Sequence, residues 1–266
     1  MNFSPLDLYD LPFLKAFEPP GWGDLVPRFQ YFINRVFCTP LKLVDGGKMV
    51  AIGTTIMHGD SAWLASIIVH PDHRNNGYGQ MITKKLVESI DRKKYSTIYL
   101  DATDLGYPVY VKIGFELEAN YAHLKKEGNV TGLQLPGSVI SYSKEYLKQL
   151  LRLDSDLSCE NRSNTLMENL STAMIYINNG RLEGFYLPSL GNGLILADND
   201  VAGISLAKCR LNNNYYSILP EKNKACIAFL QEQGLIQFRF SRRMFIGKKR
   251  PWKAERIYNR ISGQLG

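Results

Sequence analysis

Trp63-Leu64-Ala65-Ser66-Ile67-Ile68-Val69-His70-Pro71-Asp72-His73-Arg74-Asn75-Asn76-Gly77-Tyr78-Gly79 leads into a segment running from Gln80 to about Ile90. The first seven residues are an apolar run that predicts a buried strand. His70 to His73 form a short turn around Pro71, and Gly77 and Gly79 make the next connection tight. Met81, Ile82, Leu86, Val87 and Ile90 then fall at helical spacing, with Lys84, Lys85 and Glu88 facing away from them. Strand, glycine loop and helix N-terminus in this order gather unpaired backbone N–H groups at the positive end of a helix dipole. Such a junction suits a bound anion.

Upstream, Phe3 to Tyr9 reads as a short strand, and Asp10-Leu11-Pro12 reads as a helix start that turns Phe13, Leu14 and Phe17 inward. Pro19 to Gly23 is a loop. A second helix is predicted from about Asp24 to Phe37, burying Phe29, Phe32, Ile33 and Val36. Leu41 to Val44, Met49 to Met57 and Ala62 to Val69 are strands joined at Asp45-Gly46-Gly47 and His58-Gly59-Asp60, a meander that runs into the glycine loop.

Downstream, Ser96 to Asp101 is a strand whose parallel pairing with the strand before the helix makes a right-handed crossover. Tyr107 to Ile113 is a short helix, Gly114 its left-handed cap, and Phe115 to Leu124 the returning strand. From Lys125 the chain turns polar. The predicted organisation is a domain over 1–128, a linker over 129–142 and a second domain over 143–266. The fold class is α/β, with an α+β mixed sheet. The second half reads helix Lys144 to Leu153, helix Arg162 to Leu170 and strands Met174 to Ile177 and Glu183 to Leu187 about an Asn178-Asn179-Gly180 turn. Strand Leu194 to Ala197, helix Asp200 to Arg210 capped by Asp200, strand Tyr215 to Leu219, helix Glu221 to Gln233 and strand Leu235 to Phe245 follow. The order resembles the first half without its glycine loop, as a degenerate duplication would.

The 266 residues are 45% hydrophobic and 21% charged, a globular composition. The apolar runs are too short to span a bilayer, and the first residues lack the features of a signal peptide. Cys38, Cys159, Cys209 and Cys226 make no CxxC pair, and neither they nor the four histidines have metal-ligand spacing. No metal and no membrane are therefore expected, and the compartment read from the thiols is the cytoplasm. The net charge of +7 suits an anionic ligand. The basic cluster from Arg239 to Arg256 carries no nucleic-acid motif and reads as a solvated face, so nucleic acid is not expected as a partner.

The loop Val69 to Gly79, followed by Tyr110-Val111-Lys112-Ile113-Gly114-Phe115, resembles the cofactor loop and the Tyr-xxx-Gly-Phe segment of the GNAT family of acetyl-CoA-dependent N-acetyltransferases. Leu100-Asp101-Ala102-Thr103 with Gly106 is similar to a subgroup in which a second, GNAT-like domain follows. Asp154 with Arg162, Gly184-Phe185-Tyr186-Leu187-Pro188 and Arg243-Met244-Phe245-Ile246-Gly247 extend that similarity over almost the whole chain.

The resemblance implies acetyl-coenzyme A as donor, no metal, and the primary amine of a small molecule or peptide as acceptor. Arg74, Asn75, Asn76, Gly77, Tyr78, Gly79 and Gln80 would cradle the pyrophosphate, and backbone groups of Ile67, Ile68 and Val69 would hold the pantetheine arm. Tyr110 stands where many members carry the general acid that protonates the leaving thiolate; a tyrosine packed for bulk is the alternative. The strand Ala62 to Val69 lacks the carboxylate that many members use as a base. Asp101, with Thr103, either lines the cleft or orients the loop, and a water chain is a further route for the proton. Trp22 and Phe29 are candidates for the acceptor wall or for core packing. The second domain would close one side of the acceptor cleft, with Arg243 or Tyr258 reaching in, or act only structurally. A non-catalytic acyl-CoA sensor of the same fold is the alternative to an enzyme.

Overall fold

A computed structural model describes residues 1–128, 132–212 and 214–265. The start of the expected linker, residues 129–131, lies outside the described residues. The chain divides into two compact units, one of residues 1–117, 244–248 and 263–265, the other of residues 118–243 and 249–262.

The first unit opens with β1 (Asn2–Pro5) and a 3-10 helix (Leu8–Phe17). That helix is capped by Asp7, not Asp10: the Asp7 carboxylate accepts from the Tyr9 N–H, and Asp10 returns a bond to the Asp7 N–H. With three residues per turn, the buried positions are Leu11, Leu14 and Phe17, and Phe13 is exposed. The expectation that Phe13 points inward assumed an α-helical period.

Next come α1 (Val26–Ile33), β2 (Cys38–Asp45), β3 (Lys48–Met57) and β4 (Ser61–Val69). Helix α1 ends before Val36, which is fully exposed and not the core residue expected. Then follow α2 (Tyr78–Glu88), β5 (Thr97–Ala102), α3 (Tyr107–Ile113) and the start of β6 (Glu116–Lys125). Strands β1 to β4 are successive antiparallel neighbours, and β5 joins β4 in parallel. Ile82 and Leu86 of α2 pack into a core with Leu43, Ala51, Leu64, Ile98 and Leu100.

The second unit contains β7 (Val139–Ser141), α4 (Leu147–Ser158), α5 (Ser163–Met167), β8 (Met174–Asn178), β9 (Arg181–Leu187), β10 (Leu194–Ala197) and α6 (Asp200–Leu211). β11 (Tyr216–Pro220), α7 (Lys224–Glu232), most of β12 (Ile236–Gly247) and β13 (Ile257–Asn259) complete it. Its five-stranded sheet runs β13-β10-β9-β8-β7 and is antiparallel throughout. Asn179 and Gly180 both have positive φ, as the Asn-Gly hairpin between β8 and β9 requires. Helix α6 is capped by Asn199, whose side chain accepts from the Ala202 N–H, so Asp200 is its first residue and not its cap. Helix α7 starts at Lys224 and not at Glu221, because Asn223 caps it through the Cys226 N–H.

Buried charge holds this unit together. Asp154 and Arg162 are both 2% exposed and pair at 2.5 Å, the two residues whose association the sequence suggested. Arg243 meets Glu118 at 2.5 Å and Glu160 at 3.3 Å, with its guanidinium 4.3 Å from the Trp252 ring centre. Tyr258 is buried against Gly203 and donates to Asp200 at 2.6 Å. The Arg243 guanidinium and the Tyr258 hydroxyl are thus both paired with carboxylates of the second unit.

Candidate active site

The site is built where β4 leaves β5. Their parallel register is Ser61↔Thr97, Ala62↔Ile98 and Trp63↔Tyr99, and it ends there, although β4 continues to Val69. On its other edge β4 stays paired with β3, but irregularly: Thr54 opposes Ala65 and Ile52 opposes Ile68. Ser66 and Ile67 thus face Gly53 alone, which is a β-bulge, and Ser66 sits at φ 49°. Position 53 is closely packed: a Cβ there would come 2.7 Å from Leu86 Cδ1 and 3.4 Å from Ile67 Cγ1, so Leu86 would have to shift. The bulge bends β4 and increases its twist. Past Trp63, the β4 edge facing β5 offers backbone N–H and C=O groups to an extended ligand. Ile67 and Val69 are half-buried along this edge and Ile68 is buried. A glycine inside a strand pattern is the one sequence signal that pointed to the bulge.

At the end of β4 the chain turns through a 3-10 turn, Pro71–His73, and the loop Arg74 to Gly77, which is exposed. Asn75 and Gly77 have φ of 65° and 79°. Asn76 braces the loop by donating to the carbonyls of His73 and Arg74. Gly77 is the N-cap of α2, and the first α-helical bond runs from the Met81 N–H to the Gly77 carbonyl. The amides of Tyr78, Gly79 and Gln80 precede that bond and stand at the positive end of the helix dipole. A Cβ on Gly77 would meet no atom within 4 Å, so this glycine serves backbone conformation and leaves open space before the helix. Tyr78 turns away and donates to Asp45 at 2.5 Å, which fixes the first turn of α2 to the β2–β3 hairpin.

Tyr110 lies on α3 and is 9% exposed. Its ring rests on Gly106, where a Cβ would come 2.7 Å from the ring and 3.2 Å from the hydroxyl oxygen. Gly114 caps the helix at φ 106°, which lets the Phe115 N–H reach the Tyr110 carbonyl at 3.0 Å. Burial, with the Asp101 charge as a smaller cause, raises the Tyr110 pKa far above its ordinary value. The hydroxyl therefore stays protonated at any physiological pH. Thr103 accepts from the Gly106 N–H through its hydroxyl and from the Tyr107 N–H through its carbonyl, so it shapes the start of α3. Phe29 is fully buried, 5.6 Å from the Phe32 ring, and packs the core; Trp22 is half-buried in its loop.

Residues 6–115 match the acetyltransferase (GNAT) family. The matched segment lies in the first unit and takes in β4, the glycine loop and α3. Over 77 residues, 28% of this chain, it is 27% identical to the [ribosomal protein bS18]-alanine N-acetyltransferase of Escherichia coli K12. That match takes in 52% of the relative, so the chain spans about half the length of the curated relatives it matches. Among solved structures, a Pyrococcus horikoshii protein described by inference as an acetyltransferase superposes with a TM-score of 0.83, at 20% identity over 100% of this chain and 95% of that one. A tandem GNAT protein from the clavulanic acid biosynthesis pathway superposes with a TM-score of 0.63, at 12% identity over 92% of this chain and 98% of the other. At these identities the likeness is one of fold: two GNAT-like halves in one chain. Among the described residues, no group of three or more His, Cys, Asp or Glu side chains is placed to hold a metal ion, and no helix is long and apolar enough to cross a membrane.

Proposed function

We propose that this chain transfers the acetyl group of acetyl-coenzyme A to a primary amine. The observation that carries this reading is the end of the β4–β5 register at Trp63↔Tyr99. It leaves a bent strand edge that points, at its far end, into the amides of the α2 N-terminus. An extended pantetheine arm would bond to backbone groups of Ile67, Ile68 and Val69, and its pyrophosphate would rest on the amides from Asn75 to Gln80. Arg74 adds positive charge at the mouth of the loop.

Acetyl transfer forms a C–N bond and breaks a C–S bond, so a proton must leave the amine and the thiolate must be neutralised. Tyr110, protonated at neutral pH, gives its hydroxyl proton to the thiolate and regains one from solvent as the amine proton leaves. A backbone N–H of the bulged strand polarises the thioester carbonyl. β4 offers no carboxylate as base. Asp101 holds the local field around Tyr110, and water carries the amine proton to solvent.

Two measurements test the reading. Calorimetric titration with acetyl-CoA is expected to show one site. A thiol-release assay over a panel of primary amines is expected to show turnover. Binding without release for any amine would favour a non-catalytic acyl-CoA sensor, and no binding would remove both readings.

A further inference from the structure

Arg28, on α1, is a half-buried cation whose neighbours are all neutral oxygens. It donates to the Trp22 carbonyl at 3.1 Å, and its guanidinium stands 5.9 Å from the Trp22 ring centre. With its amide oxygen turned inward, Gln264 accepts from Arg28 Nε at 3.2 Å and Nη1 at 3.0 Å. The same oxygen lies 3.2 Å from the Ser66 hydroxyl. The acidic side chains near α1 are used on backbone: Glu18 accepts from the Leu25 N–H and Asp24 from the Val26 N–H. Among the described residues Arg28 has no ion pair, and burial lowers its pKa.

A guanidinium has five N–H donors, and these contacts take three, which leaves two. A half-buried cation without an anion is costly unless one arrives. The position of the vacancy is informative. Ser66 is the bulge residue, just past the point where β4 parts from β5. The Gln264 amide oxygen bridges Arg28 to that strand.

We infer that Arg28 recognises the acceptor, binding the carboxylate of an amine that also carries one, such as an amino acid or a short peptide with a free C-terminal carboxylate. The planar fork of a guanidinium matches a carboxylate, and the Trp22 carbonyl and Gln264 oxygen hold the fork in place. The assignment rests on the reading of β4 as the strand that holds the thioester.

The test is thiol release from acetyl-CoA with matched acceptors, from single amino acids to tripeptides, each offered as free carboxylate and as carboxamide. At least one carboxylate should exceed its amide by about tenfold or more in kcat/KM, as a charge-assisted pair implies. Arg28→Gln should bring that ratio to about one while calorimetric acetyl-CoA affinity stays within about twofold. Arg28→Lys keeps the charge without the fork and should retain part of the preference; it also serves if Arg28→Gln does not fold. A preference that survives in Arg28→Gln, or amides turned over as well as carboxylates throughout the wild-type panel, would overturn the assignment. Absence of acetyl-CoA binding to the wild type is a separate result, read by calorimetry alone, and would overturn the donor reading beneath it.

Discussion

Trp63 and Tyr99 are the last register partners of β4 and β5, and their rings lie 5.2 Å apart, tilted by 31°, both fully buried. The contact clamps the two strands at the point where they begin to part. The opening beyond it is a feature of the folded backbone. Trp63→Ala removes the clamp and leaves a cavity, and is expected to cost about 3–5 kcal/mol of stability in a urea titration.

Gly77 sets the mouth of the loop. At φ 79° an alanine is strained whatever the space around it, at a cost of roughly 1–2 kcal/mol. Its methyl would also stand in the open space before the amides of α2. Gly77→Ala should weaken acetyl-CoA binding about tenfold or more, equivalent to about 1.4 kcal/mol. Calorimetry reads this directly, and an unchanged affinity would remove the loop from the cofactor site.

Tyr110→Phe keeps the ring on Gly106 and deletes the hydroxyl group. Turnover should fall roughly 10²-fold, with acetyl-CoA affinity within about twofold. Equal turnover would leave Tyr110 as a packing residue. The raised pKa also has a consequence for stability. Above about pH 10 the unfolded chain ionises this tyrosine while the native one does not. The stability it contributes is therefore present below that pH and is lost as pH rises. Chemical denaturation between pH 9 and 11 should show a smaller decline in the Tyr110→Phe variant.

Arg243 is the counterion of two buried carboxylates, Glu118 and Glu160. Arg243→Met fills the volume but strands both charges, and should cost about 3–5 kcal/mol. Adding Glu118→Gln and Glu160→Gln to that variant should restore part of the loss. If the single variant were as stable as the parent, the arginine would not be holding this core.

His123 is buried between Tyr216, Ser241 and Arg239, and its pKa falls to about 3, mainly through burial and then through the charges of Arg260 and Arg239. In the unfolded chain it takes up a proton near pH 6.5, whereas in the native protein it stays neutral. Stability linked to it is complete above pH 6.5 and is lost as pH falls toward 3. The slope approaches about 1.4 kcal/mol per pH unit. Denaturation midpoints from pH 4 to 7 should show a shallower acid limb in His123→Gln than in the parent.

Local chemistry was legible in the chain. The Asn179-Gly180 turn, the left-handed caps at Gly77 and Gly114, and the strand-loop-helix of residues 63–90 follow from conformational preferences that only a few residue types satisfy. The short helix that carries Tyr110 was legible because its Gly114 cap is a local signal. Helix ends were less so: Phe13 and Val36 misled because the periodicity that placed them inward did not reveal a 3-10 helix or an early stop.

By itself, then, the sequence determined the order of elements and the glycine loop, since each depends on neighbours a few residues apart. Tertiary structure alone decided the rest. Ser66 adopts a left-handed conformation that serine does not prefer, because β4 carries one residue more than β3 opposite Gly53. Arg28 meets Gln264, and Arg243 meets Glu118 and Glu160, across long stretches of chain that no local preference connects. Loop closure and burial bring such pairs together, and their energies exist only once water has been excluded around them.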